Sequence, residues 1–279
     1  MTPTTSPATR LVALLGDPVS HSLSPSFQNA AFAAAGVDGV YVALRCSATD
    51  LPGALIGIGR AGGAGNITVP HKQLAARVVE RKTSAVHRTD ACNTYWLEDG
   101  ELWGDNTDVV GFRRAAERLL GHALTSSRVL LLGAGGAARA VVCALVEDSA
   151  AEVVVVNRSA DRAADLVRRF ADATSRLRTA PDLATLSTES FDLIVNATSL
   201  GLRPDDPLPS DPDSTPRTAA VLDLVYSPVG TPWIRSFEAR GIPAADGLDM
   251  LLFQGAASFE RWWGCPAPLA AMRAALPPR

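Results

Sequence analysis

The feature that most constrains the fold of this chain is an apolar strand that runs directly into a glycine turn and a helix. Residues 129–132 are four consecutive aliphatic residues, followed by Gly133-Ala134-Gly135-Gly136-Ala137-Ala138. In such a turn the first glycine permits the tight geometry and the second lets the backbone approach a pyrophosphate. A small third residue, here Ala138, lets helix and strand pack closely. The pattern predicts a dinucleotide-binding unit, and a glycine-rich turn without a ligand is the alternative.

The residues after the next apolar strand indicate which dinucleotide would bind. Residues 153–156 are four valines, followed by Asn157-Arg158-Ser159. A site for NAD would place Asp or Glu there, on the ribose 2′-hydroxyl. Arg158 suits a 2′-phosphate instead, because its planar fork can pair with two oxygens, and Arg162 adds charge one turn into the helix. We therefore predict NADP, the alternative being that Arg158 is simply exposed at a helix start.

Short apolar runs alternate with helical patterns along the chain, which predicts an α/β class with largely parallel sheets. The predicted strands are 11–15, 41–44, 65–69, 94–97, 101–103, 129–132, 152–156, 191–195 and 221–225. The predicted helices are 25–35 with Ser24 as N-cap, 51–60, 71–79, 107–120, 135–147, 159–170, 247–263 and a short one after Cys265. Asp99-Gly100 predicts a hairpin between two of the strands.

The length predicts two domains. At about 150 residues per domain, 279 residues make roughly two, and the 47% of hydrophobic residues suffice for sizeable cores. We place the borders near Asp108 and Asp246, so that residues 1–108 and 247–279 form one domain and 109–246 the other. Segment 203–216, rich in proline and aspartate, is predicted to be a surface loop.

Charge and cysteine usage exclude several classes of function. Lys and Arg number 26 against 29 Asp and Glu, and the resulting net charge of −3 disfavours nucleic acid as a partner. The first ten residues have no apolar core, and no later run is long enough to span a bilayer. The four cysteines are far apart and form no CxxC pair, so neither a zinc site nor a disulfide framework is expected. We expect a cytoplasmic protein without a metal or membrane partner, and a monomer or homodimer.

Clusters of small polar residues in the first half are candidates for a substrate site near the dinucleotide. Ser22 and Ser24 alternate before a proline, so their hydroxyls would point the same way and could bind a carboxylate; helix capping by Ser24 is an equal alternative. Asn66 and Thr68 alternate on one face of a predicted strand. Asn93-Thr94 and the run 104–108 follow at a strand start and a helix start.

Two charged residues and one amide in these regions could act directly on a substrate. Lys72 falls in the first turn of a helix, where the dipole disfavours a cation and so favours loss of its proton, which suits acid–base chemistry. Asp108 could orient it and hold it charged. The alternatives are a surface lysine and an acid that merely caps its helix. Gln254, mid-helix on an apolar face, could reach into a cleft or face water.

In these motifs and their order the chain resembles the shikimate dehydrogenase family, over nearly its whole length. The matching runs are Ser22-x-Ser24-Pro25, Asn66-x-Thr68-x-Pro70-x-Lys72, Asn93-Thr94, Gly104-Asp105-Asn106-Thr107-Asp108, Gly133-Ala134-Gly135-Gly136-Ala137, Asn157-Arg158, Asn196-Ala197-Thr198, Asp223-x-x-Tyr226 and Asp246-Gly247-x-x-Met250-x-x-x-Gln254. The resemblance implies an N-terminal α/β substrate-binding domain, a Rossmann-type doubly wound NADP-binding domain, and C-terminal helices that return to the first domain. It implies NADPH-dependent, reversible reduction of 3-dehydroshikimate to shikimate, in chorismate and aromatic amino-acid biosynthesis.

The resemblance also implies a role for each matching residue. The substrate carboxylate would be held by Ser22, Ser24, Thr68 and Tyr226, and the ring hydroxyls by Asn66, Asn93, Asp108 and Gln254. Lys72 and Asp108 would be the catalytic pair, so that no metal is needed. The NADP site would comprise Gly133, Ala134, Gly135, Gly136, Ala137, Asn157, Arg158, Ser159, Arg162, Thr198 and Gly247.

The chain departs from the family pattern at Ala91-Cys92, Val109 and Ser199. None of these departures removes a catalytic group, but each could change the shape of a pocket. Enzymes for quinate or aminoshikimate therefore remain alternatives. So does an NADP-binding sensor without catalysis, although such a sensor would not need to retain both Lys72 and Asp108.

Overall fold

The computed structural model describes residues 5–203, 205–227 and 229–277, in two compact units. The first unit ends at Thr107 and resumes at Leu252, and the second runs from Asp108 to Leu251. The later border differs from the predicted one because a single helix, beginning at Leu248, crosses it without a break. Some predicted positions lie outside the described residues. They are the domain ends, 1–4 and 278–279, and Pro204 of the predicted loop 203–216.

The first unit is built on a six-stranded mixed sheet. Its elements are β1 (Arg10–Gly16), α1 (Ser24–Ala35), β2 (Gly39–Arg45), α2 (Leu51–Arg60), β3 (Ala64–Ile67), α3 (Lys72–Val78), β4 (Arg81–Lys82), α4 (Ser84–Thr89), β5 (Thr94–Glu98) and β6 (Glu101–Asp105). The order across the sheet is β2-β1-β3-β5-β6-β4. Strands β1, β2 and β3 are parallel, whereas β5 is antiparallel to both of its neighbours. The sheet therefore places the ends of β3 and the start of β5 side by side.

The antiparallel part of this sheet is the predicted hairpin. Asp99 and Gly100 join β5 to β6 with φ values of 51° and 77°, the left-handed conformation that a two-residue hairpin turn of this kind requires. On one face of the sheet, Leu15, Ile67 and Tyr95 form a core with residues of α2 and α3.

The second unit is a doubly wound parallel sheet. Its elements are α5 (Asp108–Leu120), β7 (Arg128–Leu132), α6 (Gly136–Glu147), β8 (Glu152–Val156), α7 (Ala160–Arg169), β9 (Leu177–Ala180), a 3₁₀ turn at Ala184–Leu186, β10 (Ser190–Asn196), β11 (Arg217–Asp223), α8 (Pro232–Glu238) and β12 (Ala244–Ala245). The strands pair in parallel in the order β9-β8-β7-β10-β11-β12. The order reverses between β7 and β10, the point at which sheets of this kind bind dinucleotides. The α/β class with mostly parallel strands is confirmed.

The chain ends with α9 (Leu248–Trp263) and α10 (Leu269–Ala274). From Leu252 onward these helices belong to the first unit, and α10 packs against α1. Across the described ranges, no helix is long and apolar enough to cross a membrane. Nor do three or more His, Cys, Asp or Glu residues in those ranges form a group that could hold a metal ion.

Candidate functional site

Two buried asparagines meet where β3 pairs with β5. Asn66 is the third residue of β3, and Asn93 directly precedes β5; they are 5% and 2% exposed. The Asn66 side chain donates from Nδ2 to the Asn93 carbonyl oxygen at 3.0 Å. The same carbonyl accepts the backbone N–H of Ile67 at 2.8 Å. The sheet pairing thus brings together two of the predicted substrate amides.

The Asn93 side chain is held by Thr107 and reaches α9. Thr107 donates its backbone N–H to Asn93 Oδ1 at 2.8 Å, and Asn93 Nδ2 donates to the Thr107 hydroxyl at 2.9 Å. Asn93 Nδ2 also lies 3.4 Å from Oε1 of Gln254. Gln254 is half-buried, so the structure places this helix residue beside Asn93 instead of directing it into bulk water.

Three further hydroxyls join this network, those of Tyr41, Ser258 and Thr107, and Tyr41 and Ser258 were not predicted from the sequence. The Tyr41 hydroxyl on β2 donates to Asn66 Oδ1 at 2.8 Å. Asn66 Nδ2 donates to the Ser258 hydroxyl on α9, also at 3.0 Å, and that hydroxyl lies 3.0 Å from the Thr107 hydroxyl. Ser258 follows Gln254 by four residues, the spacing that puts two side chains on one helix face. That spacing could have suggested Ser258, whereas nothing around Tyr41 does.

The predicted carboxylate site includes Ser24, but not as a helix cap. The helix α1 begins at Ser24 itself, with Leu23 in the N-cap position and no side-chain cap. Ser22 instead accepts the backbone N–H of Ser24 on its own hydroxyl at 3.2 Å. The capping interpretation of Ser24 is therefore wrong.

Thr68 follows β3, where the predicted strand 65–69 has already ended. Its backbone N–H donates to the Leu15 carbonyl at 2.9 Å, and its own carbonyl accepts the N–H of His71 at 2.9 Å. Gly16 allows this close approach, because a Cβ there would lie 2.3 Å from the Thr68 methyl group. Tyr226, the fourth predicted carboxylate ligand, lies in the second unit, and burial raises the pKa of its phenol.

Lys72 is the first residue of α3, and the start of that helix is anchored on both sides. The Lys72 carbonyl accepts the N–H of Cys92 at 2.9 Å. The preceding His71 is 3% exposed, and its Nε2 lies 2.6 Å from the Cys46 carbonyl oxygen. Asp108 is the first residue of α5 in the second unit, with 7% exposure. Pairing of Lys72 with Asp108 remains a prediction.

One departure from the family pattern, Cys92, adds no charge to this region. Burial raises the pKa of the Cys92 thiol to about 12, so it stays neutral near neutral pH. The thiol donates to the Thr94 carbonyl at 3.1 Å. Gly104 provides the space, since a Cβ there would lie 2.8 Å from Cys92 Sγ.

The glycine turn of the second unit packs against protein at Gly133 and faces open space at Gly135 and Gly136. Gly133 has a φ of 110°, and a Cβ on it would lie 2.9 Å from the Ala197 carbonyl oxygen. Gly135 and Gly136 are exposed, and a Cβ on either would meet no atom within 4 Å. The helix α6 begins at Gly136 with no side-chain cap on its N-terminal amides. These residues fit the pyrophosphate of a dinucleotide, because amides at a helix N-terminus attract anions.

The residues after β8 offer positive charge beside this turn. Gly133 donates its N–H to the Val156 carbonyl at 2.8 Å, which sets the end of β8 next to the turn. Arg158 and Arg162 are exposed, and neither guanidinium pairs with any group in the described ranges. Ser159 caps α7 by accepting the Arg162 N–H at 3.4 Å. The Asn157 side chain donates to the Ser159 carbonyl at 2.8 Å. The residue that directly follows β8 is Asn157, not an acid.

Of the other predicted cofactor residues, two have clear packing roles. The Thr198 hydroxyl donates to Asn196 Oδ1 at 2.7 Å and accepts the Leu200 N–H at 3.0 Å, which closes the turn after β10. Gly247 lies against Leu224, whose carbonyl oxygen would be 2.3 Å from a Cβ at that position. Contact of Thr198 and Gly247 with NADP stays a prediction, as it does for Ala134 and Ala137.

Comparisons with known proteins agree on one family. Three family models match the chain: the shikimate dehydrogenase substrate-binding domain over 14–95, shikimate/quinate 5-dehydrogenase over 114–201, and the shikimate 5′-dehydrogenase C-terminal domain over 247–276. The NADP(+) shikimate dehydrogenase of Moorella thermoacetica is 42% identical, with 95% of this chain and 92% of that protein covered.

Two solved structures are similar over nearly the whole chain. Shikimate dehydrogenase from Aquifex aeolicus superposes with a TM-score of 0.89 at 32% identity, covering 98% of this chain and 99% of that one. Shikimate 5-dehydrogenase from Thermus thermophilus, in complex with NADP(H) and shikimate, has a TM-score of 0.85 at 37% identity, covering 96% and 100%.

Proposed function

Because the chain belongs to the shikimate dehydrogenase family, we propose that it catalyses the reversible, NADPH-dependent reduction of 3-dehydroshikimate to shikimate. This is an oxidoreductase reaction on a CH–OH group in chorismate and aromatic amino-acid biosynthesis. The observation that carries the proposal is the 42% identity, across 95% of the chain, to a relative whose name states both substrate and cofactor.

Hydroxyls would bind the substrate carboxylate. Ser22, Ser24 and Thr68 lie on adjoining segments of the first unit, and helix capping does not occupy the Ser24 hydroxyl. Tyr226 would be a further donor from the second unit, and the raised pKa of its phenol keeps that proton in place. Hydroxyl donors suit a carboxylate because hydrogen bonds to an ionised acceptor are stronger than those between neutral groups.

Neutral amides would bind the ring hydroxyls. Asn66, Asn93 and Gln254 form one connected group in the first unit, and Asp108 would accept from a hydroxyl as well. An amide offers both a donor and an acceptor without the desolvation cost of a buried charge, which matches a ring that carries several uncharged hydroxyls.

Lys72 would be the acid–base group. Bound NADPH supplies the hydride that reduces the ketone. As negative charge develops on the ketone oxygen, Lys72 would donate a hydrogen bond and then its proton to that oxygen, and it would take the proton back in the reverse reaction. Asp108 would orient the ammonium group.

The second unit would hold NADP. The amides at the start of α6, with Gly135 and Gly136, would bind the pyrophosphate. Arg158 and Arg162 would pair with the 2′-phosphate, and Asn157 in place of an acid avoids repulsion of that phosphate. We place the reaction in the cytoplasm, with small molecules as its partners, without nucleic acid or membrane, and with the enzyme as a monomer or homodimer.

The direct test is to mix the purified protein with shikimate and NADP⁺ and follow the absorbance of the NADPH formed. We expect NADPH to accumulate, and to be consumed when 3-dehydroshikimate is supplied instead. Quinate belongs in the same assay because one matching family model covers quinate enzymes. Failure to reduce NADP⁺ with shikimate would refute the proposal, and faster turnover of quinate would replace it with quinate dehydrogenase activity.

A further inference from the structure

We propose that Tyr41 and Ser258 are positioning residues that fix the side-chain amide of Asn66 in one orientation, so that Asn66 meets the substrate only as a hydrogen-bond acceptor. The inference rests on the proposed function, because it concerns the same site. It adds two residues that lie outside the family motifs, and it gives a direction to one hydrogen bond with the substrate.

Both amide hydrogens of Asn66 are already used inside the protein. An amide nitrogen has two hydrogens, and Nδ2 donates to the Asn93 carbonyl and to the Ser258 hydroxyl, each at 3.0 Å. Asn66, Asn93 and Ser258 are 5%, 2% and 0% exposed. No N–H of Asn66 is therefore left to donate to a ligand.

The oxygen of the same amide has one acceptor site left. Oδ1 carries two lone pairs, and the Tyr41 hydroxyl donates to one of them at 2.8 Å. Burial raises the pKa of the Tyr41 phenol, which keeps it a donor. The second lone pair of Asn66 Oδ1 is available to a substrate hydroxyl.

The reversed amide is disfavoured at both ends. Turning the side chain over would set Oδ1 against the Asn93 carbonyl, two acceptors facing each other, in a place too buried for water to separate them. It would also turn Nδ2 toward the Tyr41 hydroxyl, whose hydrogen would then lack an acceptor. Ser258 reinforces the observed orientation, because its hydroxyl donates to the Gln254 carbonyl at 3.0 Å and so is poised to accept from Asn66.

This orientation restricts which ring substituent can face Asn66. A hydroxyl or an ammonium group can donate a hydrogen bond to Asn66 Oδ1, whereas a fluorine, an ether or a ketone has no hydrogen to donate.

The experiment compares Tyr41→Phe and Ser258→Ala, alone and combined, with two matched controls. Tyr95→Phe removes a buried phenol hydroxyl that has no hydrogen-bond partner among the described residues. Ser236→Ala removes a serine hydroxyl bonded only to its own helix, to the Trp233 carbonyl. For each protein the KM for shikimate, the KM for NADP⁺, kcat and the melting temperature are measured.

We expect Tyr41→Phe and Ser258→Ala each to raise the KM for shikimate by about 5- to 30-fold, the usual cost of leaving a buried polar group without its partner. The KM for NADP⁺ and kcat should stay near those of the controls. The rise in the KM for shikimate in the double variant should be smaller than the product of the two single rises, because both residues act on one amide.

A parallel series of shikimate analogues tests the direction of the hydrogen bond. In these analogues each ring hydroxyl is replaced in turn by fluorine or by hydrogen. At the ring position whose hydroxyl faces Asn66, the fluorine analogue should bind no more tightly than the hydrogen analogue.

The possible outcomes separate this inference from the proposed function. If the wild-type protein does not oxidise shikimate, the proposed function itself is wrong. If the wild type is active and both variants match their controls, the positioning role is wrong. A joint fall in kcat, affinity for NADP⁺ and melting temperature would show a general structural role and also overturn it. Fluorine binding as well as hydroxyl at every ring position would contradict the acceptor-only orientation.

Discussion

Lysine 72 is the residue on which the proposed chemistry depends most, and its place in the fold is well defined. It is the first residue of α3, and the backbone at that helix start is bonded to Cys92 on one side and, through His71, to Cys46 on the other. A fixed helix start limits the positions that the ammonium group can reach, which is what a proton donor requires.

The first prediction concerns this lysine. Lys72→Ala should lower kcat for shikimate oxidation by about 10²- to 10⁴-fold, the usual contribution of a general acid–base group, with only a modest change in KM. Steady-state kinetics with NADP⁺ measure both constants. A variant with near-normal kcat would remove Lys72 from the mechanism.

The second prediction concerns Arg158. Arg158→Gln should weaken binding of NADPH by about 10- to 100-fold, because hydrogen bonds to a charged group contribute roughly 1.5–3 kcal/mol, while NADH binding stays nearly the same. Titration of each cofactor by fluorescence gives the two dissociation constants. Arg217→Gln is the matched control, since Arg217 is an exposed arginine at the opposite end of the strands. Equal loss of NADPH and NADH affinity would contradict a 2′-phosphate role.

At the scale of elements, strong local sequence patterns were sufficient to predict a helix or a strand, whereas very short elements could not be predicted. The four valines of β8 and the helix α2 were predicted with the bounds that the structure has. The strands β4 and β12 have two residues each, too few for any periodicity. The helix α8 was missed although Thr231-Pro232 is a helix-start signal, because its seven residues are too few for a clear helical period.

The start of α8 carries the third prediction. Thr231 accepts the Ile234 N–H at 3.3 Å and donates to the buried carboxyl of Asp223 at 2.7 Å. Thr231→Ala should lower the free energy of unfolding by about 1–3 kcal/mol, through loss of the cap and of a partner for a buried acid. Urea unfolding measures this. Thr218→Ala, whose hydroxyl bonds only to a carbonyl of its own strand, should cost clearly less; equal losses would contradict the role given to Thr231.

A charged cluster joins the starts of β7, β8 and β9, and the fourth prediction concerns its acid, Glu152. Glu152 accepts from Arg178 at 2.7 Å and from Arg128 at 2.6 Å. Although partial burial opposes the charge, these hydrogen bonds lower the pKa of Glu152 below its ordinary value. A lowered pKa stabilises the fold above the unfolded-state value of about 4.3, and that contribution is lost as the pH falls through the folded-state pKa.

Glu152→Gln should therefore reduce the free energy of unfolding at pH 7 by about 1 kcal/mol, with the difference from wild type shrinking below about pH 4. Urea unfolding from pH 7 down to pH 3 measures this difference. Glu238→Gln, on α8 and without an ion pair among the described residues, is the control. A difference that stays constant over this pH range would show that the charge of Glu152 is not its cause.

At the scale of the whole molecule, the order of motifs predicted more of the candidate site than any single motif did. It grouped Asn66, Asn93 and Gln254, and hydrogen bonds link these residues within a unit made of two separate stretches of chain. The order of motifs could not predict Tyr41 or Ser258. Their hydrogen bonds to Asn66 join residues 25 and 192 positions apart in the sequence, so they depend on tertiary packing. Nor could the order of motifs show that Ser24 does not cap its helix.

The central claim is that this one chain oxidises shikimate with NADP⁺. The most direct test is kcat/KM, measured side by side for shikimate with NADP⁺, shikimate with NAD⁺ and quinate with NADP⁺. The account predicts that shikimate with NADP⁺ gives the highest value, at least about tenfold above each of the others, which corresponds to about 1.4 kcal/mol of transition-state binding. A value for NAD⁺ or quinate equal to or above that for shikimate with NADP⁺ would contradict it.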